Sequence, residues 1–146
     1  MVMYDSECEG RDLEELDHLG TALSRGLGGP TRGVINHDDS ILVYQLHRDG
    51  ELLDEYYSNP AVFDGKAAPG PQGGDPVALV RAFGLSTTAV EEVGRILTRS
   101  YAFETDRHRD LVNVLGLPDV AVGAGYRYID RGDPLPGLGS SHLFRV

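Results

Sequence analysis

The sequence contains no tryptophan, a single lysine and a single cysteine, and these shortages narrow the chemistry open to the chain. One thiol, Cys8, allows neither an internal disulfide nor a metal site rich in thiolates, which agrees with a reducing compartment. The flanking Glu7 and Glu9 disfavour the thiolate form, so Cys8 is expected to be unreactive. Lys66 is the one residue with which lysine chemistry such as a Schiff base can be considered.

Long apolar runs are also missing from the sequence. No stretch approaches the roughly 20 apolar residues that a membrane-crossing helix needs. The first residues, MVMYDSECEG, lack the basic and apolar regions of a secretory signal. With 40% hydrophobic residues and a mean hydropathy of -0.24, the composition is typical of soluble globular proteins. We therefore expect one domain covering residues 1–146, located in the cytoplasm and not associated with a membrane.

Basic side chains are scarce in the first part of the chain. The whole chain has 23 acidic and 13 basic side chains, which gives a net charge of -10. Residues 1–60 hold 13 of the acidic and 4 of the basic ones, whereas residues 61–146 hold 10 and 9. An acidic surface disfavours binding to nucleic acid, whose phosphates attract Lys and Arg, and it favours a basic protein partner. The candidate partner-binding residues are Asp12, Glu15, Asp54, Glu55 and Phe63.

A helix is predicted over residues 11–25 from leucines that recur three and four positions apart. Ser6 and Glu9 have the spacing of a capping box at its start. The glycine-rich stretch 26–30 follows this helix and precedes a predicted strand at 33–36. Phosphate-binding loops have the opposite order of strand, loop and helix, so these glycines are predicted only to end the helix.

The segment SILVYQLHRDGELLDEYYSNP, residues 40–60, is typical of a β-hairpin. Asp49 and Gly50 favour a type I′ turn, because both central residues of that turn need a positive φ. A regular two-residue turn fixes the pairing of the strands on either side. The predicted pairs are Arg48 with Glu51, His47 with Leu52, Leu46 with Leu53, Gln45 with Asp54, Tyr44 with Glu55, Val43 with Tyr56, and Leu42 with Tyr57.

This pairing gives the hairpin two partly apolar faces, so we expect it to lie in a sheet covered at least partly on each side. His47 lies next to the turn, where we expect it to be exposed, and Asp54 is expected to make a polar contact with Gln45 across the strands. The first face is predicted to carry Leu42, Tyr44, Leu46, Leu53 and Tyr57, and the second Ile41, Val43, Leu52 and Tyr56.

Residues 58–75 contain four glycines and three prolines and show no periodicity. Loops of this length are uncommon inside a compact domain, and they are often lids or binding loops. The same composition also suits a simple connection between two elements. The segment is therefore either a functional loop or a linker, and Phe63 is its candidate contact residue.

The remainder of the chain is predicted to be mostly helical, with one final strand. Helices are predicted from Pro76 to Gly84 with Asp75 as the N-cap, from a capping box of Thr88 and Glu91 to about residue 99–101, and from Thr105 to Gly116. Residues 120–130, VAVGAGYRYID, are predicted to form a strand, and an irregular tail follows from about residue 131.

The element order predicts the fold class. With a short strand at 2–4, the order is β-α-β-β-β-α-α-α-β. This order suits an α+β fold with a mostly antiparallel sheet and helices packed mainly on one face, to which the strand at 120–130 returns.

The segment NHDD, residues 36–39, is the most enzyme-like cluster in the sequence. His37, Asp38 and Asp39 together with His108 are candidate catalytic residues around a divalent metal, as in a hydrolase. A tight turn alone does not supply converging ligands, and Asn and Asp favour turns through local hydrogen bonds. We therefore predict a turn here, with no metal and no cofactor, and keep the hydrolase as an alternative.

Arginine and tyrosine side chains supply the candidate ligand-binding residues. In RHRD, residues 107–110, Arg107 and Arg109 are suited to phosphate or carboxylate groups, whereas His108 shares a helical face with leucines and is expected at the edge of the core. On the predicted strand the candidates are Arg127, Tyr126 and Tyr128, opposite a smooth groove over Ala121, Gly123 and Gly125.

These observations favour a binding protein over an enzyme. The leading hypothesis is a small acidic cytoplasmic protein that engages a basic protein partner, as an adaptor or an immunity-like inhibitor. A metal-dependent hydrolase and a protein that binds a small ligand are the alternatives.

Overall fold

A computed structural model describes residues 1–6, 8, 12–62 and 65–133 of the chain. Its four strands form one antiparallel sheet in the order β1-β2-β3-β4, which confirms the predicted α+β class. The elements are α1 (Leu13–Leu27), β1 (Thr31–His37), β2 (Ile41–Arg48), β3 (Glu51–Tyr57), β4 (Gln72–Gly73), α2 (Pro76–Ala82), α3 (Ala89–Thr98), α4 (Glu104–Val114) and α5 (Tyr126–Asp130), with 3₁₀ turns at Pro60–Val62 and Asp119–Ala121.

The sheet is covered on both faces by helices. On one face α1 buries a small cluster of Leu16, Ile35, Ile41 and Val43. On the other face α2, α3 and α4 bury a larger cluster against β2 and β3. The layer formed by α2, α3 and α4 corresponds to the predicted helices packed mainly on one face. The buried members of the larger cluster include Leu42, Tyr44, Leu46, Tyr56, Leu79, Val93, Leu97 and Leu111.

Local signals explain where most helices begin and end. Asp12, and not the predicted pair Ser6 and Glu9, is the N-cap of α1, because its carboxylate accepts hydrogen bonds from the backbone of Glu14 and Glu15. Gly28 ends α1 at a φ of 64°. The N-cap of α2 is Asp75, with a proline at the first helical position, as predicted. The predicted capping box of α3 is wrong, since Thr88 makes no cap hydrogen bond and its hydroxyl donates to Ser86 instead.

The predicted hairpin is present, but it contains one extra residue. The turn residues Asp49 and Gly50 both have positive φ, as predicted. Leu53 has no partner on β2, because Leu46 pairs with Asp54, so β3 carries a β-bulge and every predicted pair beyond it is shifted by one. The observed pairs are Arg48 with Glu51, His47 with Leu52, Leu46 with Asp54, Gln45 with Glu55, Tyr44 with Tyr56, and Val43 with Tyr57.

The bulge exchanges the faces of β3 relative to the prediction. Tyr56 packs in the larger cluster, with its ring stacked 5.3 Å from that of Tyr44. Tyr57 packs against the cluster under α1. Asp54 is not opposite Gln45 and instead accepts a 2.7 Å hydrogen bond from the hydroxyl of Tyr44. The side chains beyond Leu53 therefore point to the faces opposite those predicted for them.

Two further predicted strands are not formed. Residues 2–4 have no strand partner, although the hydroxyl of Tyr4 donates to the carbonyl of Val120. Residues 120–130 form a 3₁₀ turn, a bend with Gly123 at a φ of 75°, and the short helix α5. Glycine has a low strand propensity and no side chain to pack, so Gly123 and Gly125 disfavour a strand in this segment. The groove predicted along such a strand is therefore absent, and the tail at 134–146 lies outside the described residues.

The described part of the segment 58–75 contains regular structure, although its composition predicted none. It contains the turn Pro60–Val62 and the two-residue strand β4, which pairs with Tyr56 and Tyr57. The amide of Gly74 also donates to the carbonyl of Glu55 at 2.8 Å. The end of this segment therefore pairs with the edge of β3 just before α2 begins. The candidate contact residue Phe63 lies outside the described residues.

His47 is buried, and the prediction that it is exposed is wrong. The side chain has 0% exposure because α1 crosses the sheet directly above it. Its Nε2 lies 2.8 Å from Oδ1 of Asp17. The close approach of helix and ring depends on Gly20, where a Cβ atom would lie 2.6 Å from Cε1 of His47.

Gly20→Ala is expected to destabilise the protein by about 1–3 kcal/mol, because the added methyl group overlaps the imidazole of His47. The matched control is Gly26→Ala in the same helix, where a Cβ atom meets nothing within 4 Å. Alanine is the better helix former, so the control should be neutral or stabilising by up to about 1 kcal/mol. Denaturant unfolding measures both changes. An equal gain in stability for the two variants would contradict the described packing of α1.

Candidate functional site

A turn is present at residues 38–40, directly after β1, whereas Asn36 and His37 of the predicted turn are the last residues of that strand. Asp38 and Asp39 both adopt positive φ, and Nδ1 of His37 lies 3.1 Å from the carboxylate of Asp38. Asp39 caps α4 from outside the helix: its Oδ1 accepts a 2.6 Å hydrogen bond from the amide of Thr105, and its carbonyl accepts one from Glu104. Among the described residues, no group of three or more His, Cys, Asp or Glu is arranged to hold a metal ion.

The pKa of the Asp39 carboxyl follows from this capping role. Burial alone would raise the pKa, but the hydrogen bonds from Thr105, Asn36 and Glu104 outweigh it and lower the pKa below its ordinary 3.8. A carboxyl whose pKa is lower in the folded protein stabilises the fold above pH 3.8, and this contribution is lost as the pH falls through the folded value.

Asp39→Ala is therefore expected to cost about 1–2 kcal/mol at pH 7, the usual value of a lost helix cap. Asp38→Ala is the matched control, because it places alanine at a similar positive φ without removing a cap. Urea unfolding of both variants at pH 7 and at pH 3 provides the measurement. The excess cost at Asp39 should shrink at the lower pH, and an excess that is unchanged with pH would contradict the role of the charge.

The two arginines of the segment 107–110 lie in different surroundings. Arg107 is 2% exposed, and its guanidinium donates to both carboxylate oxygens of Glu104 and to the carbonyls of Ile96, Leu97 and Arg99. Arg109 is exposed and pairs with Asp106 at 2.6 Å. The predicted pair of ligand-binding arginines is therefore not brought together on one surface.

The other predicted ligand-binding residues lie on α5. Tyr126, Arg127 and Tyr128 are consecutive residues of this short helix, and successive helical positions point about 100° apart. Only Tyr126 is partly buried, whereas Arg127 and Tyr128 are exposed. The described structure thus gives these three side chains no common side from which to hold a ligand.

A polar cleft of about 320 Å³ lies beside the N-terminus of α4. The segment 58–75 forms one wall through Ser58, Asn59 and residues 69–71, and residues 99–102 form the other. Its floor contains Glu104 and Arg107, which bond to each other. The pKa of Tyr101 in this cleft is raised to about 12 by burial and by its hydrogen bond to Asp110. Most of the floor is thus occupied by internal contacts that hold α3 against α4.

The bulge in β3 creates a different surface on the α1 side of the sheet. Because Leu53 is unpaired, Leu52, Glu55 and Tyr57 share the face on which α1 lies. The hydroxyl of Tyr57 donates to Glu55 at 3.3 Å, which confirms their common side.

Helix α1 supplies the other half of this surface. Its flank toward β3 is identified by Asp17, which contacts His47, and by Arg25, whose guanidinium packs on Gly50. Positions three and four residues from Asp17 share that flank. We call the resulting set the α1–β3 surface, and it consists of Glu14, Asp17, Thr21, Leu52, Glu55 and Tyr57.

The carboxylates of the α1–β3 surface are poor in cationic partners. Within the described ranges no ion pair involves Glu14 or Glu55, and Asp17 meets only the imidazole of His47. Carboxylates of α3 and α4 differ, since several have an arginine beside them. These pairs are Arg95 with Glu91 and Glu92, Arg99 with Asp110, Arg107 with Glu104, and Arg109 with Asp106.

The predicted partner-binding residues are distributed unevenly around this surface. Glu55 belongs to it, and Asp12 caps the exposed start of α1. Glu15 lies one position further round the helix than Glu14, on the side away from β3. Asp54 points to the opposite face of the sheet, where Tyr44 and the amide of Asp75 occupy its carboxylate. Leu52 was missed because only the bulge brings it to the same face as Glu55. Glu14 was missed because only the contact between Asp17 and His47 shows which flank of α1 lies toward the hairpin.

The structure shows a small α+β fold, and on its α1–β3 surface Glu14 and Glu55 have no ion-pair partner among the described residues. Comparisons with models of protein families, with curated proteins and with solved structures find no match. Within the part of the chain that the structure describes, no helix is both long enough and apolar enough to cross a membrane.

Proposed function

We propose that the protein binds a basic protein partner through the α1–β3 surface, as an adaptor or an inhibitor. The observation that carries the proposal is the combination of the exposed Leu52 with Glu14 and Glu55, neither of which has an ion-pair partner among the described residues. The Leu52 side chain is 45% exposed, next to a carboxylate on the same face of β3. An apolar centre with a polar, solvent-accessible rim is the usual arrangement of a protein interface, and the carboxylates around Leu52 would form such a rim.

The charge of the chain supports a basic partner in particular. The net charge is -10, and residues 1–60 contribute most of it. Oppositely charged surfaces attract each other before contact, which speeds association and excludes acidic competitors. Salt screens exposed charges beyond about 8 Å at physiological ionic strength, so binding of this type weakens as salt is added.

Capture from cells of the source organism tests the proposal. The wild-type protein is compared as bait with the double variant Glu14→Gln/Glu55→Gln, at about 50 mM and about 500 mM salt. The control bait is Glu91→Gln/Glu92→Gln on α3, which changes the net charge equally but outside the α1–β3 surface. A basic protein retained at low salt by the wild type and the control, and lost from the first variant, is the expected result. Equal retention by all three baits, or no retention at low salt, would overturn it.

A further inference from the structure

Arg32 and His108 face each other between the sheet and α4. The side chain of Asn36 on β1 donates a 3.0 Å hydrogen bond to the hydroxyl of Thr105 on α4, which fixes how these elements align. Arg32 lies four residues before Asn36 and therefore on the same face of β1. His108 lies one helical turn after Thr105. Both side chains thus project into the same interlayer space, on the face opposite the α1–β3 surface.

Each of these side chains has a buried polar atom without a partner. Among the described residues, Nη1 of Arg32 and Nε2 of His108 are covered from solvent and make no hydrogen bond. His108 is 5% exposed. The guanidinium of Arg32 lies 6.0 Å from the ring centre of Tyr44, and no carboxylate of the described residues pairs with it.

A buried cation without a counter-ion is costly, and buried polar atoms without partners are rare in folded proteins. Arg107 shows how this chain satisfies a buried arginine, since five acceptor atoms surround its guanidinium. The contrast indicates that Nη1 of Arg32 takes its acceptor from a group outside the described residues.

The local charge favours an anion there. Burial lowers the pKa of the Arg32 guanidinium to about 10, which still leaves it charged at neutral pH. Burial lowers the pKa of His108 to about 3, and the positive charges of Arg32 and Arg109 add to this effect. The imidazole is therefore neutral, and with a proton on Nε2 it donates one hydrogen bond while Arg32 donates another.

We propose that Arg32 Nη1 and His108 Nε2 together bind a single oxyanion, a carboxylate or phosphate group, between β1 and α4. Arg32 as a whole is only partly buried and lies on β1, the end strand of the described sheet. The anion therefore reaches the two donors along the outer side of β1. The site is independent of the proposed partner binding, because it lies on the other face of the sheet.

Titration of the full-length protein with inorganic phosphate and with acetate tests this site, with sodium chloride added to keep the ionic strength constant. The readouts are the imidazole resonances of His108 and the melting temperature. The expected result is a saturable shift of the His108 signals and a rise in melting temperature, because a ligand that binds only the folded protein stabilises it. The anion that acts at the lower concentration shows whether the group is a phosphate or a carboxylate.

Two variants distinguish this site from general salt effects. Arg32→Gln removes one donor and the charge, and it should weaken the response by about 10-fold or more, as expected for a lost charge-assisted hydrogen bond. Arg48→Gln, an exposed arginine on β2, should leave it unchanged. Arg32→Lys serves as the second variant if glutamine prevents folding, and it should also weaken the response. No saturable shift with either anion, or an equal shift in the Arg32 variant, would overturn the proposal and leave the space to water.

Discussion

Replacing Arg107 by methionine is expected to lower the free energy of unfolding by about 3–5 kcal/mol. Methionine approximates the length of the apolar stem of arginine, so the loss reports the guanidinium and not the packing. Its removal leaves the buried carboxylate of Glu104 without its cation and three backbone carbonyls without their donor. An uncompensated buried charge is among the few causes of a change this large.

The ring contacts of Arg107 add to the expected loss. The guanidinium carbon lies 4.5 Å from the ring centre of Tyr101 and 5.8 Å from that of Tyr56. Arg107 therefore links α3, α4 and β3 at one point. Loss of this link should also loosen the cleft beside α4, whose floor it forms.

Arg109→Met is the matched control, because it lies on the same helix and also pairs with a carboxylate three residues earlier. That pair is exposed, so its loss should change the stability by less than about 1 kcal/mol. Guanidinium or urea unfolding of the two variants gives the comparison. A similar small effect at both positions would show that the buried network around Arg107 is not formed.

The stability of the wild type is expected to fall between pH 6.5 and pH 3 by on the order of 4 kcal/mol from His108 alone. The folded protein holds this imidazole neutral, with its pKa lowered from 6.5 to about 3 first by burial and then by Arg32 and Arg109. As the pH falls below 6.5 the unfolded chain binds the proton, whereas the folded chain does so only as the pH approaches 3. The stabilisation is therefore complete above pH 6.5 and is lost as the pH falls toward 3.

His108→Gln removes this titration and should flatten the pH profile. The variant has its own constant cost, so the informative quantity is the slope of unfolding free energy against pH. Between pH 7 and pH 4.5 the wild type should lose about 2–3 kcal/mol more than the variant. Asn113→Gln, at an exposed and uncharged position of α4, should keep the slope of the wild type. Parallel profiles for the wild type and His108→Gln would contradict the buried, neutral state of this histidine.

Local sequence signals predicted the elements that depend on a few neighbouring residues. Asp49 and Gly50 predicted the hairpin turn, and Asp75 predicted the start of α2. Gly116, at a φ of 64°, marks the end of α4 as expected. In each case the side chain or the permitted φ of one residue decides the conformation, so no distant contact is needed.

The bulge at Leu53 could not be predicted in the same way. Both registers of β3 bury one tyrosine on each face, because Tyr56 and Tyr57 are adjacent and similar. The choice depends on distant contacts: the hydroxyl of Tyr56 donates to the carbonyl of Leu97 on α3, at 2.7 Å. The burial of His47 likewise depends on the path of α1 across the sheet. The composition predicted that the first part of the chain is acidic. It could not predict the α1–β3 surface, because that surface depends on the one-residue shift at the bulge in β3.

Hydrogen exchange of the protein with and without its captured partner tests the central claim most directly, which is that the bulge turns Glu55 to the α1 side of β3, where it joins Leu52 in one binding surface. Protection confined to residues 14–21 and 51–57 is the predicted result, with α3 unchanged as the internal reference. Protection of α3 and α4 without any change in residues 51–57 would contradict the claim.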